Sequence, residues 1–139
     1  MRQSHGSLTL RTDGQGFYDV TDRVRSWASE QGLSDGLLTL YLRHTSASLL
    51  IQENADPDVQ RDLQSFFAGL VPEDPALYRH DAEGPDDMPA HIKAALTQSQ
   101  LAIPVADGHL LLGTWQGIFL FEHRSQPHRR EAVLHLVGE

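Results

Sequence analysis

From Gly36 to His44 the chain alternates with a period of two. Leu38, Leu40, Leu42 and His44 fall on one side; Leu37, Thr39, Tyr41 and Arg43 fall on the other. Only a β-strand satisfies that period, and its apolar face needs a sheet and an opposing layer to bury it. Ala47 to Gln52 reads as a second strand. The C-terminal part adds strands near 100–106, 108–113, 116–124 and 130–137, with Asp107-Gly108 as a hairpin turn. An N-terminal strand is expected over about 3–12 and an extended piece over Phe17 to Val20, separated by the turn-forming Asp13-Gly14-Gln15-Gly16.

Three helical blocks interrupt these strands. Thr21 can cap a helix running to about Gln31, where Gly32 stops it. Asp56-Pro57 is a helix start, and Val59, Leu63, Phe66 and Phe67 then form a stripe that Gly69 ends. Pro89 begins a third helix, with Ile92 and Leu96 expected to face inward. Residues 70–87 between them read as a long polar loop, a length that is usually functional or mobile. Strand runs with helices inserted as blocks predict an α+β domain, and no repeat or linker divides residues 1–139.

Several classes of function are disfavoured. The chain has no cysteine, which removes disulfides, thiolate metal sites and cysteine nucleophiles and fits a reducing, cytoplasmic location. A net charge of -8 argues against nucleic acid as a partner. No stretch approaches the ~20 apolar residues of a membrane span, and nothing at the N-terminus reads as a signal peptide. What stands out is eight histidines in 139 residues.

Four of them, His44, His80, His91 and His123, fall in three constellations, while His5, His109 and His135 read as structural or exposed. In His44-Thr45-Ser46-Ala47-Ser48 a strand-end histidine adjoins hydroxyls that suit a phosphate or carboxylate; the plain alternative is a polar turn. From Tyr78 to His91, His80 and His91 bracket Asp81, Glu83, Asp86 and Asp87, nitrogen and oxygen donors fit for a divalent ion; the alternative is a capped helix start with surface acids. In Gly113-Thr114-Trp115-Gln116-Gly117, leading to Glu122-His123-Arg124, the indole either stacks on a ligand ring or packs in the core. Simple alternation puts Glu122 and His123 on opposite faces of their strand.

The three constellations, in this order, resemble the YjbQ-like family, also described as secondary thiamine-phosphate synthases. The resemblance runs through HTSASLLIQENADPDVQRDL (His44 to Leu63), DDMPAHIKAAL (Asp86 to Leu96) and IPVADGHLLLGTWQGIFLFEH (Ile103 to His123), with Tyr78, His80, Glu83 and Gly84 between. It implies a β-sandwich-like fold of about seven to eight mostly antiparallel strands with inserted helices, assembled as a homotrimer with a cleft near the subunit boundary. It also implies a low or secondary activity that joins a pyrimidine pyrophosphate to a thiazole phosphate and releases pyrophosphate. Against that chemistry, His80 and His91 are expected to hold zinc, magnesium or manganese, with Glu83 and Asp86 as further ligands. His44, Asp87, Glu122 and His123 are the candidate acid–base groups. Thr45, Ser46 and Arg124 would contact phosphate, while Trp115 would stack a ring that Gln116 hydrogen-bonds. The alternatives are a metal-dependent hydrolase of a small phosphorylated metabolite and a non-catalytic trimeric protein that binds a small anion or a metal.

Overall fold

A computed structural model describes residues 1–139. Eight strands form two sheets, one in the order β1-β8-β3-β5-β6 and one in the order β2-β7-β4, and every pairing is antiparallel. The larger sheet holds β1 (Arg2–Thr12), β3 (Gly36–Leu42), β5 (Gln100–Ala106), β6 (His109–Leu110) and β8 (His128–Gly138). The smaller holds β2 (Gly16–Asp19), β4 (Ala47–Glu53) and β7 (Gln116–Glu122). The helices are α1 (Thr21–Glu30), α2 (Pro57–Leu70) and α3 (Asp87–Leu96), so the fold is α+β as expected. No helix is long and apolar enough to cross a membrane.

The alternation in β3 carries the core. Leu38, Leu40 and Leu42 are buried, and they meet Leu134 and Leu136 of β8, Leu49 of β4, Ile118 and Leu120 of β7, and Val24 and Ala28 of α1 in one apolar cluster. Burying such side chains contributes roughly 1.5–3 kcal/mol each, which is what holds the two sheets and α1 together. Phe119 and Phe121 face the other way, where Phe17 stacks on Phe121 and Phe67 of α2 meets it edge-on.

Several local expectations need correction. Thr21 does not cap α1: the Asp19 carboxylate accepts from both its N–H (2.9 Å) and its hydroxyl (2.6 Å), and the hydroxyl oxygen accepts from Ile118 N–H. The strand expected over 108–113 is only His109–Leu110, after a turn in which Asp107 (φ 51°) and Gly108 (φ 76°) are both left-handed. The loop 70–87 contains a 3-10 turn, Pro75–Leu77, capped by Asp74. Helix α3 starts at Asp87 rather than Pro89, and Leu96 is exposed; its buried face carries Asp87, Ala90 and Lys93. Asp56 does cap α2, its carboxylate accepting from Asp58 N–H at 2.9 Å.

Candidate metal centre and the clusters beside it

The start of α3 fixes the site. Asp87 stands in the first turn, where the helix dipole favours its charge, and it is only 1% exposed. His91 lies one turn further on the same face, and His80 comes in from the preceding loop. His80 Nε2 is 2.6 Å from Asp87 Oδ2, and His91 Nε2 is 3.6 Å from the same oxygen. The two imidazoles are near-parallel at 5.3 Å between centroids, and the three ligand atoms all lie within 4.8 Å of one another.

The tautomer of His91 is set by its other nitrogen. Nδ1 lies 3.0 Å from the Thr45 carbonyl, which can only accept, so Nδ1 carries the proton and the Nε2 lone pair faces Asp87. That is the arrangement in which backbone orients a metal-binding histidine. Burial would raise the Asp87 carboxyl, but His80, Glu83, His91 and Arg124 together hold it below the usual aspartate range. Its Oδ1 lies 2.9 Å from Arg124 Nη1 yet makes no hydrogen bond of good angle. Two imidazoles and one ionised, under-satisfied carboxylate fit a divalent cation, zinc or manganese best by donor type.

The expected ligand set is brought together only in part. His80 and His91 meet, and the carboxylate between them is that of Asp87. Asp86 instead accepts from Arg124 Nε at 2.8 Å and from Ser125 N–H at 2.9 Å. Burial would raise the Asp86 carboxyl, and these bonds outweigh it and hold it low. Glu83 is exposed, and its carbonyl accepts from Arg124 Nη2 at 2.9 Å. Arg124 therefore ties the end of β7 to the loop and to the start of α3.

Behind this cluster lies a buried ionic network. Both oxygens of Glu122 accept from Arg130, at 2.7 Å from Nε and 2.5 Å from Nη2. Thr12 hydroxyl and the N–H groups of His123 and Arg124 complete the shell of Glu122. Burial would raise this carboxyl too, but Arg130 and Thr12 hold it below the glutamate range. Arg130 also donates to Ser46 Oγ and to the Ser46 carbonyl, which pins the turn after His44.

His44 lies beside the same arginine. Its Nε2 accepts from Glu131 N–H at 2.9 Å, so the neutral ring carries its proton on Nδ1. Burial, then Arg130, keeps His44 below the ordinary histidine value. Arg130 Nη1 lies 3.4 Å from that Nδ1, so a positive charge stands beside the imidazole. His44, Thr45 and His91 line one cavity of about 400 Å³. The first and second constellations therefore form one site.

The third constellation divides. His123 is buried, its Nε2 2.9 Å from Ser48 Oγ and its Nδ1 without a partner; burial, then Lys93, lowers its pKa to about 3. Glu122 and His123 border the same cavity, contrary to the alternation argument, because β7 ends at Glu122. Trp115 is 62% exposed, and Gln116 Oε1 accepts from Gly113 N–H at 2.8 Å, holding its own turn. Gln116 and Glu122 are opposite ends of β7, roughly 20 Å apart at strand rise. The indole and the amide are thus not brought to the histidine cluster within one chain.

Two residues that shape the site, Arg130 and Lys93, were not singled out from sequence as site residues. Lys93 carried one signal, being the chain's only lysine. Arg130 carried none beyond sitting in a basic stretch.

Comparison with known proteins gives a consistent result. A family model described as UPF0047 protein YjbQ-like matches residues 6–139. A UPF0047 protein from Synechocystis is 52% identical over 138 residues, covering 99% of this chain and 94% of that protein. The UPF0047 protein YjbQ of Salmonella typhimurium is 46% identical, covering 96% of each. Among solved structures, a hypothetical protein from Aeropyrum pernix superposes with a TM-score of 0.88 at 32% identity, over 98% of this chain and 99% of that one. A conserved protein of the yjbq/upf0047 family from Clostridium acetobutylicum gives 0.86 at 36%, over 94% and 98%.

Proposed function

Because this chain belongs to the YjbQ-like UPF0047 family, we propose one function for the cluster that its family motifs build: a divalent-cation-dependent enzyme acting on a small phosphorylated metabolite. The observation that carries this reading is the His80–Asp87–His91 triangle, with the His91 proton assigned to Nδ1 and its lone pair facing the carboxylate. A divalent ion there supplies positive charge to a phosphate or diphosphate group that the chain's net charge of -8 would otherwise repel.

The chain's own residues do the rest. The His44 Nδ1–H is available to an oxyanion in the cavity that Thr45 and His91 also line, with the Arg130 guanidinium behind it. Glu122 is ionised and saturated with donors, so its role is to hold Arg130. His123, neutral at working pH, holds Ser48. The reaction we assign first is of thiamine-phosphate synthase type. The bond from a pyrimidinylmethyl carbon to diphosphate breaks, and a bond from that carbon to a thiazole nitrogen forms. A hydrolase is the second reading, favoured by the small number of protein donors, since three leave coordination positions open.

The test is metal content of protein purified without a histidine tag. We expect about one divalent ion per chain in wild type and loss of it in both His80→Ala and His91→Ala. Wild type that takes up no zinc, manganese or magnesium overturns the proposal. Assays of the loaded protein then separate the readings. Product that requires both the pyrimidine and the thiazole substrate supports the transferase. Phosphate release from one substrate supports the hydrolase, and no turnover with metal bound leaves a binding protein.

The proposal includes assembly as a homotrimer. Helix α2 has no buried residue although it is amphipathic, Phe66 is 62% exposed, and Leu70 and Leu77 are exposed nearby in sequence. Covering that apolar surface is a subunit contact, and only a neighbouring subunit can bring Trp115 to the histidine cluster. Light scattering is expected to give three times the 15.5 kDa chain mass; a monomer at micromolar concentration contradicts the assembly.

A further inference from the structure

A second cavity, of about 490 Å³, lies between α2, α3 and the end of β7. Its size falls within the roughly 300–1,000 Å³ of small-molecule pockets. Lys93 and His123 line it, with Arg61 and Ser65 of α2 as further polar groups and Phe67 and Phe121 as apolar wall. None of these residues takes part in the His80–Asp87–His91 triangle.

We infer that this cavity is a separate binding site for the phosphate of a small phosphorylated molecule. Lys93 is only 5% exposed, and it has no ion-pair partner. The neighbouring acids are already engaged. Asp86 and Asp87 share Arg124, and Glu73, whose carboxylate accepts from the neutral Gln15 amide, acts on Lys93 without forming an ion pair with it. Glu122, which also borders the cavity, is neutralised by Arg130. A buried ammonium with no carboxylate in direct contact is costly, and an incoming anion lowers that cost.

His123 supplies the second pointer. Its Nδ1 is buried and has no hydrogen-bond partner, whereas Nε2 faces the Ser48 hydroxyl. When that hydroxyl donates to Nε2, the proton of the neutral ring sits on Nδ1 and is free for an oxyanion. Arg61 adds charge from α2, since its pairing with Asp58 is on the surface and weak. The Phe67 and Phe121 rings, edge to face at 5.5 Å, offer apolar contact to the rest of the ligand.

The site does not depend on a metal, so it is tested in chelator-treated protein. Inorganic phosphate and pyrophosphate are titrated by phosphorus NMR and calorimetry. Saturable binding is expected, weakened at least about tenfold in Lys93→Met, as loss of a charge-assisted contact implies. Ser65→Glu places a carboxylate from an exposed helix position at the same cavity without touching the core, and is expected to weaken binding comparably. If Lys93→Met does not fold by circular dichroism, Ser65→Glu decides. Absence of saturable binding of both anions to wild type overturns the inference. So does unchanged affinity in Ser65→Glu or in a folded Lys93→Met. Retention of phosphate binding in a His80→Ala variant that holds no metal is expected, and shows the two sites are distinct.

Discussion

Arg130→Met is expected to lower the midpoint of thermal unfolding by on the order of 10–20 °C. Arg130 is 4% exposed and Glu122 is fully buried, and each is the other's charge partner. Removing one member of such a pair costs about 3–5 kcal/mol, because the remaining charge is left uncompensated in a low-dielectric interior. In a domain of 139 residues each kcal/mol moves the midpoint by roughly 4 °C. Glu122 keeps Thr12 hydroxyl and two backbone N–H groups, so the variant should still fold. Adding Glu122→Gln removes the stranded charge and should recover part of the loss. A single variant that melts with wild type would mean the pair is not the anchor its geometry suggests.

The second large effect is on acid stability. Unfolded, His123 titrates near 6.5; folded, it stays neutral down to about 3. Below pH 6.5 the unfolded chain therefore binds the extra proton, and stability falls with falling pH. The slope from this one group approaches about 1.4 kcal/mol per pH unit below pH 6.5, or roughly 2 kcal/mol in all between pH 6.5 and 4.5. His44, also lowered, acts in the same direction. The depressed carboxyls of Asp86, Asp87 and Glu122 contribute stability above the ordinary carboxylate range, and it is lost as pH falls through and below that range. Urea unfolding at several pH values from 7.5 to 4.5 measures the slope. His123→Asn, which keeps a partner for Ser48, should flatten it by up to one proton; coincident slopes would contradict a neutral buried His123.

The parts of this fold that were legible in the sequence are those decided by local period and local capping. Leu38, Leu40 and Leu42 announce β3, and Asp56-Pro57 announces α2, because neither signal needs a distant partner. The third helix departs from its sequence pattern for a physical reason. Ile92 and Leu96 look like its inward face, yet Asp87 and Lys93 are buried instead, since Asp87 finds His80 and Arg124 and Lys93 borders a cavity. Charge burial of that kind is invisible without the partners. The pairing of His80 with His91 followed from their position around one helix start. The choice of Asp87 over Asp86 did not, because it turns on which carboxylate Arg124 and Ser125 engage. Likewise, the contact of His91 with the Thr45 carbonyl, next to His44, spans 46 positions, and no spacing rule reaches across it.

One feature of the larger sheet bears on how the chain is made. Strand β8 lies between β1 and β3, pairing with β1 from Arg2↔Gly138 to Thr12↔His128 and with β3 from Gly36↔Gly138 to Leu42↔Ala132. During translation, β1 and β3 emerge early and wait beside a gap until residues 128–138 have left the ribosome. Until then the nascent chain carries unpaired strand edges, the state most open to wrong partners and to chaperones. Closure of the larger sheet then waits for arrival of the strand that fills the gap.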